Sequence, residues 1–461
     1  MAPALFVSTN GRSPAVNLRE ALLTGQAPDR GLYFPQSFPR LSRDEIAAFA
    51  RLPYHEVAFR VLSRFTEGVM PDEALAKMCS EAYDFEVPLE PVEGMERVHC
   101  LRLDCGPTAS FKDFAAQMMA RMFGRFLQET GREVTILTAT SGDTGSAVAH
   151  AFHNVPGVRV LVLFPFAEVS RHQRKLMTTL GENVRTIAID GKFDDCQALV
   201  KRAFSDPALK HISLSSANSI NIGRLLPQSV YYFFAASRVA NPGEPVVFSV
   251  PSGNFGDMMG AVVAGQMGLP LKKLVAPVNS NDAFPRFLET GIYQKIEPSR
   301  NAVSNAMNVG HPSNLARLVA VYGGQMDETG KINKAPDLDA MRRDLFSSSV
   351  SDERTREALH HAWTKHRLLV EPHGAVAWRG FLDWLEIEKL DGAPAVLLET
   401  AHPAKFPEEI GKILGIIPDV PPALAAAEKL QESYDRMGVD YQKFTDYLIA
   451  MHSSAEYRSR D

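Results

Sequence analysis

The chain has 461 residues, too many for one small core and suited to two or three domains. Its 45% hydrophobic and 22% charged residues describe an ordinary globular protein, and a net charge of -5 leaves no basic footprint for nucleic acid or an anionic membrane. No apolar run approaches the ~20 residues that span a bilayer, and the opening residues lack the basic region and apolar core of a secretory signal.

The first hundred residues read as helices and loops, with helical apolar spacing over 42–51 and 71–83 and with Pro35, Pro39, Pro53 and Pro71 as punctuation. The four cysteines, Cys79, Cys100, Cys105 and Cys196, show neither zinc spacing nor a Cys-x-x-Cys pair, so reduced thiols, no metal and a cytoplasmic location are expected. Next comes the run Thr108-Ala-Ser-Phe-Lys-Asp-Phe114, which brackets Lys112 with Phe111 and Phe114 before Ala115 and Ala116 open a helical pattern. A lysine in an apolar frame loses hydration, which disfavours its ammonium form. The neutral amine attacks carbonyls, so Lys112 is a candidate Schiff-base lysine.

From 134 the texture changes to Val/Ile/Leu runs alternating with helices. Strands are predicted at 134–140, 158–164, 184–189 and 212–214, with helices at 146–153, 170–180 and 194–204 between them. A long helix over 223–239 leads to strand 246–250, helix 256–267 and strand 274–278, and a last strand covers 395–399. Continuous apolar strands separated by helices indicate parallel sheets covered on both faces. The predicted fold is α/β, with two doubly wound lobes facing a cleft. Its divisions are an N-terminal mainly helical domain over 1–100, an α/β region over 101–419 with the smaller lobe at about 130–222, and an amphipathic helical extension over 420–461 packed outside.

Two strands run into small-residue turns that open helices: Ser141-Gly-Asp-Thr-Gly145 after 134–140, and Ser252-Gly-Asn-Phe-Gly-Asp257 after 246–250. Successive backbone N–H groups and a helix N-terminus bind phosphate or carboxylate without a basic side chain. Neither turn matches the P-loop or the dinucleotide fingerprint. Thr400 follows the late strand, at the carboxyl edge where open sheets place ligand contacts. Its hydroxyl could meet a pyridine nitrogen without protonating it, leaving the ring a restrained electron sink. His402 and Lys405 read as a His-Pro turn with a solvated lysine, and His150 and His153 as a surface pair with no carboxylate to complete a metal site.

Together these segments resemble the threonine synthase family, pyridoxal-phosphate enzymes of the tryptophan-synthase-β fold group, fold type II. The resemblance spans nearly the whole chain. It rests on Ala21-Leu-Leu-Thr-Gly-Gln-Ala-Pro-Asp-Arg-Gly-Leu-Tyr-Phe-Pro35, Gly106-Pro-Thr-Ala-Ser-Phe-Lys-Asp113 and Ala139-Thr-Ser-Gly-Asp-Thr-Gly145. Ser219-Ile-Asn-Ile-Gly-Arg-Leu225, the 252–257 turn and Glu399-Thr-Ala-His-Pro-Ala-Lys-Phe406 continue it in order. The N-terminal segment is similar to the longer fungal and enterobacterial branch. Gly223 departs from the family's small polar residue, which implies one weaker phosphate contact.

The resemblance implies pyridoxal 5'-phosphate as cofactor and conversion of O-phospho-L-homoserine and water into L-threonine and phosphate. It implies that Lys112 carries the cofactor and acts as base, that Gly253, Asn254, Phe255 and Gly256 cup its phosphate, and that Thr400 meets the ring nitrogen. Asp257 either contacts the cofactor or caps the helix it opens. Arg224 is the implied partner of the substrate phosphate, with Ser110, Ser141, Thr144 and Asn221 as further donors. A phospho-lyase of the same fold, releasing a 2-oxo acid, and a non-catalytic relative keeping the cleft only for binding are the competing readings. The implied protein is a monomer or weak homodimer with no nucleic-acid or membrane partner.

Overall fold

The computed structural model describes residues 3–453. Two parallel sheets form the two lobes, and their Val/Ile/Leu strands are buried on both faces. All eight residues of Val158–Pro165 and all six of Val134–Ala139 are buried. The smaller lobe orders its strands Asp435–Gly438, Val184–Asp190, Val158–Pro165, Val134–Ala139 and Leu214–Ser215, every pair parallel. The larger lobe orders Leu345–Phe346, Leu271–Val275, Val246–Ser249, Ala395–Glu399, Val98–Arg102 and Leu89–Pro91, with only the last pair antiparallel.

Several boundaries differ from the predicted ones for identifiable reasons. The helix over 223–239 is broken into Ile222–Leu225, a 3₁₀ turn Leu226–Gln228 and Ser229–Val239. Pro227 lies in the break, lacking the N–H and the ring clearance an unbroken helix needs. The helix after Val134–Ala139 begins at Asp143, three residues earlier than read, because Gly142 at φ 135° supplies the sharp entry. Leu89–Pro91 lies inside the N-terminal division drawn at residue 100 and Val98–Arg102 straddles that boundary, yet both belong to the larger sheet. Residues 3–83 combine the helices Tyr54–Thr66 and Asp72–Ala82 with a small antiparallel sheet of Val16–Asn17, Leu5–Ser8 and Tyr33–Pro35.

The C-terminal extension is not helix throughout. Its strand Asp435–Gly438 completes the smaller sheet in parallel beside Val184–Asp190. The helix Tyr441–Ser453 then covers that sheet's outer face, burying Phe444 and Leu448 against Leu137, Leu161 and Ile187. Pairing with Asp435–Gly438 satisfies backbone groups of Val184–Asp190 that would otherwise line the sheet edge.

Candidate active site

The strands of each lobe deliver their carboxyl ends to one place. Lys112 is the first residue of the helix Lys112–Thr130. The loop before it is stitched to the segment after Ala395–Glu399. Phe111 N–H donates to the Thr400 carbonyl at 2.9 Å, His402 N–H donates to the Ala109 carbonyl at 3.0 Å, and Ser110 bridges Ala401. Two segments far apart in the chain are thereby brought side by side, and Thr400 is 4% exposed beside the lysine loop.

The Lys112 side chain is 11% exposed, with Nζ 4.8 Å from the Phe111 ring centroid and 3.4 Å from Asp143 Oδ2. Burial lowers its pKa, Asp143 opposes that shift, and the charges of Lys405 and Arg224 reinforce it. Phe114 turns away into an aromatic cluster with Tyr54, Tyr83 and Tyr231. Only one half of the predicted aromatic bracket therefore lies against the amine. Asp113 turns inward too, accepting from Thr108 N–H at 2.8 Å, and Gly106 gives it room: a Cβ there would sit 2.6 Å from its carboxylate.

Asp143 and Lys405 were not recognised as site residues from sequence. Asp143 opens the helix Asp143–Phe152 and holds Lys405 Nζ at 2.7 Å, and Lys405 is 1% exposed, not solvated. Although burial opposes it, the Lys405 and Lys112 ammonium groups hold the Asp143 carboxyl far below the usual carboxylate range. The small residues of the Ser141–Gly145 turn mark an anion site, which conceals a carboxylate shared by two lysines. His402 accepts from Ala404 N–H at 3.1 Å and caps the turn Pro403–Lys405. His150 is half-buried and paired with Gln117 Nε2 at 3.3 Å; His153 is half-buried as well, so neither stands as a solvated surface residue.

The Ser252–Asp257 turn is a cup closed from behind. A Cβ on Gly253 would lie 2.8 Å from Met307 Cα, so the backbone must be bare there. Phe255 adopts φ 62° and leads into the helix Gly256–Gln266, its ring edge-on to Phe284. Asn254 Oδ1 accepts from Ser313 N–H at 2.7 Å and its Nδ2 donates to Ser219 Oγ at 2.8 Å. Asn314 donates to the Asn254 carbonyl at 2.9 Å, and the fully buried Arg317 donates to the Ser219 carbonyl at 3.0 Å. Nothing in the helical pattern around Arg317 marks it as the hub behind this cup. Asp257 faces inward, accepting from the Tyr231 and Tyr232 hydroxyls, and burial pushes its carboxyl up to about 6.

The other turn is organised by Thr140, whose Oγ1 accepts from Gly142 N–H at 2.9 Å and Gly145 N–H at 2.8 Å. Ser141 and Thr144 are half-buried on its rim. Arg224 is buried, with Nη1 donating to the Ala217 carbonyl at 2.8 Å and burial pushing its pKa down to about 10. Its Nε and the Ser110 Oγ are buried without a hydrogen-bond partner. Asn221 donates to the Leu22 carbonyl at 2.9 Å and the Ser216 carbonyl at 3.0 Å while accepting from Gly223 N–H. A Cβ on Gly223 would meet Leu22 Cδ1 at 2.9 Å, a contact that a shift of the leucine side chain relieves.

A bare glycine cradle at a helix N-terminus, facing a buried amine of lowered pKa, fits pyridoxal phosphate. Residues 85–400 match the pyridoxal-phosphate-dependent enzyme family, residues 5–83 the threonine synthase N terminus, and residues 374–448 the threonine synthase C-terminal region. The chain belongs to the threonine synthase family. It is 40% identical to threonine synthase of Escherichia coli over 412 residues, covering 89% of this chain and 91% of that one. It is 39% identical to the Pseudomonas aeruginosa enzyme over 442 residues, covering 91% and 92%. The structure matches pyridoxal-phosphate-bound threonine synthase from Brucella melitensis with a TM-score of 0.90 and 35% identity, covering 98% of this chain and 100% of that one. Threonine synthase from yeast matches with a TM-score of 0.88 and 28% identity, covering 97% and 99%. The short Ile222–Leu225 helix carries Gly223 and Arg224.

Proposed function

We propose that the chain catalyses the threonine synthase reaction, turning O-phospho-L-homoserine and water into L-threonine and inorganic phosphate, as a carbon–oxygen lyase using pyridoxal phosphate. The observation that carries this reading is the Lys112 amine, buried and of lowered pKa, set against the Gly253 cradle and Thr400 in a chain of this family. Bound there, the cofactor supplies an electron sink for negative charge at the substrate Cα, which no side chain provides.

The chain's own residues divide the remaining work. Lys112 would anchor the cofactor covalently, and its amine, freed when the substrate amine displaces it, would take the proton from Cα and then one from Cβ. Gly253, Asn254, Phe255 and Gly256 receive the cofactor phosphate at the helix N-terminus. Thr400 would offer the ring nitrogen a neutral hydroxyl, and Asp257, held by its two tyrosines, opens the helix behind the cup. Arg224 Nε and Ser110 Oγ are buried polar atoms that substrate phosphate oxygens would satisfy. Ser141 and Thr144 add donors from the facing turn. Asn221 contributes by holding the start of the helix that bears Arg224.

A monomer or weak homodimer is the oligomeric state proposed with this reading. Four free cysteines, three of them buried, support a cytoplasmic location. The test is phosphate release from O-phosphohomoserine coupled to identification of the product. One threonine per phosphate is expected; a 2-oxo acid in its place overturns the reading.

A further inference from the structure

Lys405 has no part in the assignments above, yet its ammonium is enclosed among acceptors. Its side chain is 0% exposed, and Nζ lies 2.7 Å from Asp143 Oδ1. The same Nζ donates to the Thr108 carbonyl at 2.9 Å and the Ala109 carbonyl at 3.3 Å, so its three N–H bonds are all matched. Asp143 is also held by Gln173 Nε2, which donates to Oδ1 at 3.0 Å, while Oδ2 faces Lys112 Nζ at 3.4 Å. One carboxylate is therefore shared by two lysines, and the shorter contact belongs to Lys405.

We propose that Lys405 is a positioning residue for Lys112: it fixes the Asp143 carboxylate from behind and neutralises it, so the reacting amine meets an oriented carboxylate that is not its own counter-ion. Two ammonium groups on one buried carboxylate leave an uncompensated positive charge, and that arrangement favours loss of one proton. Lys405 has three acceptors, whereas Lys112 has one longer contact and an aromatic face. Lys112 is the group that gives up its proton. The other titratable and charged groups near this triad are Arg224, which reinforces the loss, Asp257 at the start of its helix, His373 beside Asp143, and Asp113 and His402 near Lys405.

This inference rests on Lys112 being the cofactor lysine, and the test separates the two. Wild type, Lys405→Gln, Lys405→Met and Lys405→Arg are purified as holoenzymes, and the visible band of the bound cofactor is titrated with pH. Gln keeps a donor for the Thr108 and Ala109 carbonyls but removes the charge; Met keeps only the stem; Arg keeps the charge. The neutral variants are expected to titrate with a midpoint raised by about one pH unit, roughly tenfold in proton affinity, and Arg within a few tenths of wild type. A neutral variant that titrates at the wild-type midpoint or below it, or an Arg variant shifted as far as the neutral ones, overturns the proposal and leaves Lys405 as a tie between loops. Survival of the visible band in Lys112→Ala overturns the Lys112 assignment instead.

Discussion

Among the buried side chains near the site that carry unmatched polar atoms, Arg224 and Asp257 each make a measurable demand. Arg224 donates from Nη1 to a backbone carbonyl and leaves Nε without a partner. A charge-assisted bond from such a group to phosphate contributes roughly 1.5–3 kcal/mol. Arg224→Ala is therefore predicted to keep its cofactor spectrum while kcat/KM for O-phosphohomoserine falls by about one to two decades. Loss of bound cofactor from the purified variant would place Arg224 at the cofactor instead.

Asp257 is the second case. Both tyrosine hydroxyls donate to Oδ1, Oδ2 has no partner, and burial raises the carboxyl from its usual 3.8 to about 6. A raised folded-state value means that the contribution to stability is complete below the unfolded value and is lost as pH rises through about 6. In cofactor-free protein, the stability difference between wild type and Asp257→Asn is predicted to fall by on the order of 3 kcal/mol across that window and then level off. Urea unfolding at a series of pH values measures it; a flat difference would mean that the carboxyl titrates normally.

At the scale of elements, the cup depends on a turn that cannot carry a side chain. The Met307 backbone closes over Gly253, and His373 holds that neighbour by accepting from Ala306 N–H at 3.0 Å. His373 is itself held by Glu371, the N-cap of the helix Pro372–Leu385. Since the contact facing a new Cβ is backbone, neither side can yield cheaply. Gly253→Ala is predicted to weaken pyridoxal phosphate binding at least about tenfold, measured by equilibrium dialysis, with far-ultraviolet circular dichroism unchanged. Wild-type affinity in that variant would show that the cup tolerates displacement of the Asn305–Met307 turn.

Across the whole molecule, the C-terminal segment acts as part of the smaller lobe. Asp435–Gly438 fills the sheet edge, and Phe444 inserts into the sheet's outer face with 0% exposure. Removing a fully buried phenyl ring from such a face costs about 3–5 kcal/mol. Phe444→Ala is predicted to lower the guanidinium midpoint accordingly, while a substitution at exposed Ile417 leaves it unchanged. Equal midpoints for wild type and Phe444→Ala would mean that the segment is not integral to the lobe.

The sequence by itself determined the features that local physics encodes. Continuous apolar strands alternating with helices require parallel sheets covered on both faces. Glycine turns between a strand and a helix expose N–H groups, and a lysine in an apolar run is a poor place for a charge, although only Phe111 of the two flanking rings lies against it. Lys112 and the Gly253–Gly256 turn stand out as candidates on those grounds, while the roles expected of them and of Thr400 come from the family resemblance. Tertiary structure alone decided which charges are solvated and which are shared. Lys405 looked like a surface lysine until the return from Ala395–Glu399 placed it against Asp143. Arg317 and the two tyrosines at Asp257 carry no local mark of their roles, and Asp435–Gly438 is a strand only because Val184–Asp190 offers it an edge. Periodicity is a property of neighbouring residues, whereas burial, ion pairing and strand partnership belong to segments that meet only when the chain has folded.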